Sequence, residues 1–283
     1  MKLIAAFGAI AILVAGVAAY LLGSAFVSAR TAQADSSRVL DAAGAHSIQI
    51  HDSLNVPDFT RATSGSTPDF KAAKRVADDY VSRLDQATTT VAADHDKLAS
   101  SDGKLRSALG NPWAMPFRSG LQHQHDKVTS ALSALDAGSD GLQIERDQMR
   151  TASALFDSLA DFSTINELAG RKDLSGALGV MPGLQQKLKN ANQLAQGPNN
   201  PPQLQQLLAN LQKTATDMQA VLQAAQRNDV KTLNALLPKL DADDKALDAF
   251  DEKGFDAYDQ KLIQPYQDRY DAGWKAAGFH MAS

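Results

Sequence analysis

The chain has 283 residues, with 28 Lys and Arg against 32 Asp and Glu and a net charge of −4. That balance excludes the concentrated basic surface on which nucleic-acid binding depends. The absence of cysteine excludes disulfides, thiolate metal sites, a cysteine nucleophile and a lipidated cysteine anchor.

From Leu3 to Ala29 no side chain is charged; Lys2 precedes this run and Arg30 closes it. At 1.5 Å rise per residue such a helix reaches about 40 Å, more than a bilayer core of about 30 Å. Residues 1–30 are therefore expected to be a transmembrane anchor or a signal peptide. Ala32-Gln33-Ala34 before Asp35 fits a small-x-small cleavage site. Against cleavage, the run is nearly twice the usual apolar core of a signal. Uncleaved, the chain is single-pass in the cell membrane with an extracytoplasmic domain; cleaved after Ala34, it is secreted or periplasmic. Ala11, Ala15, Ala19 and Gly23 recur every four residues, a spacing that permits a homo-oligomer, although an Ala-rich segment gives it by chance.

Residues 31–67 read as a juxtamembrane stalk and linker. Ser36 to Leu54 carries a loose helical pattern, and Asn55 to Thr67 holds Pro57 and a Ser-Gly-Ser run without periodicity. Thr67-Pro68-Asp69 then supplies the signals of a helix start.

Residues 68–283 are expected to form an extracytoplasmic helical bundle. Phe70, Ala73, Ala77, Tyr80, Leu84, Ala87, Val91 and Leu98 hold one seam. Leu121, His125, Val128, Leu132 and Leu135 predict a second helix, and Met149, Ala152, Phe156 and Leu159 a third. Leu204, Leu208, Leu211, Ala215, Met218, Leu222 and Ala225 alternate by four and three. Polar turns are expected at 137–140, 170–173, 197–200 and 227–229, and such short connections make consecutive helices neighbours. No segment has a strand period, so the predicted fold is all-α: a membrane-spanning or signal helix, then an elongated antiparallel bundle.

One internal repeat is visible, pairing 145–200 with 201–256. Arg171-Lys172-Asp173-Leu174 aligns with Arg227-Asn228-Asp229-Val230 at an offset of 56 residues. The same offset pairs Pro182 with Pro238 and Leu184 with Leu240. Each copy predicts a helix end, an Asp cap and a helix that bends or restarts at its proline. Duplicated helical hairpins present surfaces that bind other macromolecules.

Chemistry is sparse. His123 and His125 point to different helix faces, and no metal-binding spacing occurs, so neither a metal nor a cofactor is expected. No nucleophile or phosphate-loop motif is present, and the chain is not read as an enzyme. Asp241, Asp244, Asp248 and Asp251 fall on one helix face, a stripe suited to a basic partner surface or simply to solvent. Tyr266, Tyr270 and Trp274 share a face of the last helix, where they form a recognition row or pack into the bundle. Asn111 to Phe117 is an apolar loop clamped by Pro112 and Pro116, expected to staple a turn between helices or to form a membrane-touching tip. The expectation is a membrane-anchored interaction or scaffold module of the cell envelope, with the membrane and a protein as partners. The alternative is an exported ligand-sensing or solute-binding bundle, its pocket near Tyr266, Tyr270 and Trp274.

Overall fold

The computed structural model describes residues 2–54, 57–59, 62 and 68–280, the side chains of 2–20, 52, 53 and 252 lying outside the description. Helix α1 (Lys2–Ser53) is one continuous element. Residues 31–53 of the stretch read as stalk and linker form its C-terminal part, and Ala32, Ser36, Leu40, Ala43 and Ser47 are buried there. Among the described residues no helix is long and apolar enough to cross a membrane. Most side chains of the expected span, including Ala11, Ala15 and Ala19, lie outside those residues.

Helix α2 (Phe70–Leu109) follows, started by Asp69, whose Oδ1 accepts the Ala72 N–H at 3.0 Å. A short 3-10 turn, η1 (Pro112–Phe117), leads into α3 (Arg118–Gly170). Then come α4 (Leu174–Ala195), α5 (Pro202–Gln226), α6 (Val230–Asp248) and α7 (Glu252–Ala277). No strand occurs among the described residues, so the chain is all-helical as expected.

One expected turn is absent. Gly138, Ser139 and Asp140 carry turn chemistry, yet α3 runs straight through them. A Cβ on Gly138 would sit 3.0 Å from the Tyr270 ring, so this glycine admits a neighbouring helix rather than ending its own. Tertiary packing outweighs its roughly 1 kcal/mol propensity cost.

The chain divides into two units. Unit 1 takes 1–53, 87–140 and 266–283; its core joins Ala25, Ala29, Leu40 and Ala43 of α1 to Leu98, Leu105, Leu121, Val128 and Trp274. Three of the four α1 residues here are alanine, and small side chains let helix axes approach closely. Unit 2 takes 54–86 and 141–265, and its core runs from Phe162 and Ile165 through Met181, Leu184 and Leu188 to Leu204, Leu208 and Leu211.

Within unit 2 the two aligned turns share their backbone geometry and their caps. Lys172 and Asn228 both adopt left-handed backbone, at φ 62° and 54°. The Asp173 N–H reaches Leu168 O at 2.9 Å, and the Asp229 N–H reaches Ala224 O at 2.9 Å. Each turn thus closes its helix in a Schellman arrangement. Asp173 then caps α4 by accepting the Gly176 N–H at 2.8 Å, while Asp229 caps α6 through the Thr232 N–H at 3.0 Å. Pro182 and Pro238 lie inside α4 and α6, and neither helix restarts. Each proline removes one backbone hydrogen bond, and the turns on both sides carry the helix across the gap.

Candidate functional site

Helix α6 packs on α5 at one side of unit 2. Leu233, Leu236, Leu240 and Leu247 recur at three and four and are half-buried. On that same line Asp243 is buried and pairs with Lys213 of α5. The Asp243 carboxylate holds the Lys213 ammonium above its ordinary pKa. Nothing in the acidic stripe pointed to Asp243; its place between Leu240 and Leu247 on the apolar line was the available signal.

The adjoining line of α6 turns to solvent. Val230 is 64% exposed and Leu237 52%, and Asp241, Asp244 and Asp248 continue the row, all exposed. Lys245 binds Asp241 at 2.7 Å, which raises the lysine pKa. Asp251, the last of the stripe, caps α7 by accepting the Gly254 N–H at 2.9 Å. Structure therefore divides the four carboxylates: one neutralised, one capping, and Asp244 and Asp248 presented outward.

The aromatic row lies in unit 1. Trp274 is wholly buried, edge-on to Phe279 at 5.4 Å and to Tyr270 at 6.3 Å between ring centres. The Tyr270 hydroxyl donates to Ser47 O of α1 at 3.4 Å, and burial pushes its pKa up. A Cβ on Gly273 would meet Ser130 O and Ala134 Cβ of α3 at 2.8 Å, so that glycine sets the close crossing of α7 on α3. Tyr266 is half-buried. Elements far away in sequence enclose Trp274, a relation its own periodicity cannot reveal.

Polar groups elsewhere are largely satisfied by one another. In unit 2 an open cleft of about 540 Å³ is lined by Lys74, Asp78, Asp85, Arg150, Ser153 and Asp157. Lys74 pairs with Asp78 at 2.5 Å, Arg150 with Asp85 at 3.4 Å, and Lys187 with Asp157 at 3.2 Å. Burial pushes Asp78 up, but hydrogen bonds from Lys74 and Ser153 outweigh it and hold the carboxyl below its ordinary value. Tyr80 donates to Glu145 Oε2 at 3.0 Å; burial raises the Glu145 carboxyl despite that bond. In unit 1, His46 bonds Asp94 at 2.7 Å and His125 bonds Asp102 at 2.6 Å. Among the described residues no three His, Asp or Glu side chains converge as metal ligands.

The loop clamped by two prolines is η1, packed against α1 in unit 1. Asn111 Oδ1 accepts the Trp113 N–H at 3.0 Å and starts the turn. Ala114 is buried and Phe117 lies 5.1 Å from the Phe26 ring, while Trp113 and Met115 face solvent. A comparison with known proteins finds no matching family model, no matching curated protein and no matching solved structure.

Proposed function

We propose that this chain is a membrane-anchored, extracytoplasmic helical bundle that acts as an interaction or scaffold module of the cell envelope. The observation that carries the reading is the continuity of α1 from the apolar run into the core of unit 1. Cleavage after Ala34 falls in mid-helix, between buried Ala32 and Ser36, and removes buried Ala25 and Ala29. A signal peptide ordinarily contributes nothing to the mature core. The outward row of α6, with Val230 and Leu237 ahead of Asp244 and Asp248, supplies an interaction surface. The test is the mass of the mature protein from membrane and soluble fractions. An intact chain in alkali-washed membranes is expected, and a photocrosslinker at Leu237 is expected to trap a discrete partner there. A soluble chain beginning at Asp35 overturns the anchor. It favours instead the exported ligand-binding reading; Trp274 is packed between Tyr270 and Phe279 where that reading expects its pocket, and the open cleft of unit 2 is the site left to support it.

A further inference from the structure

We infer that η1 is a second membrane contact, seated in the bilayer interface beside the point where α1 leaves the hydrocarbon. This rests on α1 being a span, and it assigns a role to residues that the span itself does not use. Crossing about 30 Å takes about 20 helical residues. Counted from Leu3, such a span ends at Leu22, yet the uncharged run continues to Ala29. The surplus turns are two-sided: Ala25 and Ala29 are buried in unit 1, whereas Leu22, Phe26 and Val27 are exposed.

Sequence places η1 nearly ninety residues away, but the fold sets it against these turns through the Phe26–Phe117 ring contact. Trp113 is 39% exposed and Met115 68%. Nine large hydrophobic side chains are exposed among the described residues, and five of them cluster here: Leu22, Phe26, Val27, Trp113 and Met115. Such a concentration of apolar surface marks a contact site. What covers it follows from its position. It adjoins the end of the apolar run, and a Trp at that level fits the headgroup boundary, where an apolar ring with a polar N–H is most at home.

Arg30 is exposed about 12 Å beyond Leu22 along α1, at the level expected for lipid phosphates, and Arg118 is exposed next to Phe117. Pro112, Pro116 and the Asn111 cap fix the tip in advance, which lowers the ordering cost of insertion.

Tryptophan quenching in vesicles tests this directly. The chain has two tryptophans, and Trp274 is wholly buried, so lipid-borne quenchers reach only Trp113. The full chain is reconstituted in phosphatidylcholine vesicles carrying bromines either high on the acyl chain or near its end. High bromines are expected to remove roughly half of the Trp113 emission, deep bromines less, and W113F to abolish the effect. A separate variant, L13W on a W113F background, reports the span and is expected to respond most to deep bromines. If L13W is quenched and Trp113 responds only to aqueous acrylamide, the span stands and the tip inference is overturned. If Trp113 is shielded from both lipid and acrylamide, protein covers the tip, a second copy included, and the inference also falls. If L13W is unquenched, the span reading fails, and the tip with it.

Discussion

Helices α4 and α6 begin alike and end in different surroundings. Both follow a left-handed residue, both are capped by an Asp, and both carry a proline nine residues later. Helix α4 lies between α3 and α5, and Ala177, Met181, Leu184, Leu188, Ala191 and Ala195 are fully buried. The corresponding residues are Leu233, Leu237, Leu240, Asp244 and Leu247 of α6 and Asp251 just beyond it, and none is buried. Where α4 puts Leu188 into the core, α6 has an aspartate that keeps its water. The turn is a local property, set by a few residues; burial is set by how many neighbours a helix has. The two aligned segments differ accordingly, with apolar residues at 233, 237, 240 and 247 and aspartates at 244 and 251.

Exchanging residues between the copies gives the largest expected effect. L188D buries a carboxylate without a partner and is expected to cost about 4 kcal/mol or more, enough to unfold unit 2. D244L, the reciprocal change, is expected to stay within about 0.5 kcal/mol by urea denaturation, because its site is exposed. Comparable losses from the two would break the comparison. Truncation comes next. L184A empties a fully buried site and should cost about 3 kcal/mol, while L240A, half-buried, should cost about 1 kcal/mol. Equal losses at 184 and 240 would show that something covers α6.

The caps sharpen the comparison from the other side, since here the copies should agree. D173A removes one capping bond and is expected to cost about 1 kcal/mol. D229A should cost more, because Asp229 accepts from both the Thr232 N–H and the Thr232 hydroxyl. Those two bonds hold the Asp229 carboxyl below its ordinary pKa. A lowered folded pKa means stability that is present above the unfolded value and lost as pH falls through the folded one. The Tm gap between wild type and D229A should therefore be constant at neutral pH and close as pH drops below about 4. A gap unchanged at acid pH would remove the charged cap from the account.

How much of this was legible in sequence follows the same division between local and distant causes. The seams from Ala73 to Leu98 and from Leu204 to Leu222 could be read because periodicity is local, and the structure buries most of their positions. The turns at 171–173 and 227–229 were legible for the same reason. Gly138 was misleading: its turn chemistry is real, but the ring of Tyr270, 132 residues further on, decides its use. Trp274 and Asp243 were legible as face positions only, because the residues that enclose them belong to other helices. Of the loop from Asn111 to Phe117, Ala114 and Phe117 make the contact with the bundle while Trp113 faces outward, a division that apolar composition alone does not show.

The smallest expected effect isolates the backbone of the shared turn. Lys172 and Asn228 occupy the same left-handed position, but the two side chains tolerate it differently. Left-handed backbone strains a residue with an ordinary Cβ by about 1 kcal/mol, and asparagine relieves part of that through local hydrogen bonding. Glycine carries no such strain, although it gives the unfolded chain more entropy to lose. K172G should therefore stabilise the protein by about 0.5 kcal/mol, whereas N228G should leave it near zero or slightly negative. Urea midpoints of the two variants, with D244L as the surface reference, resolve a difference of that size. Equal shifts would mean that the flanking hydrogen bonds, matched between the copies, set the turn's energy without regard to the residue at its corner.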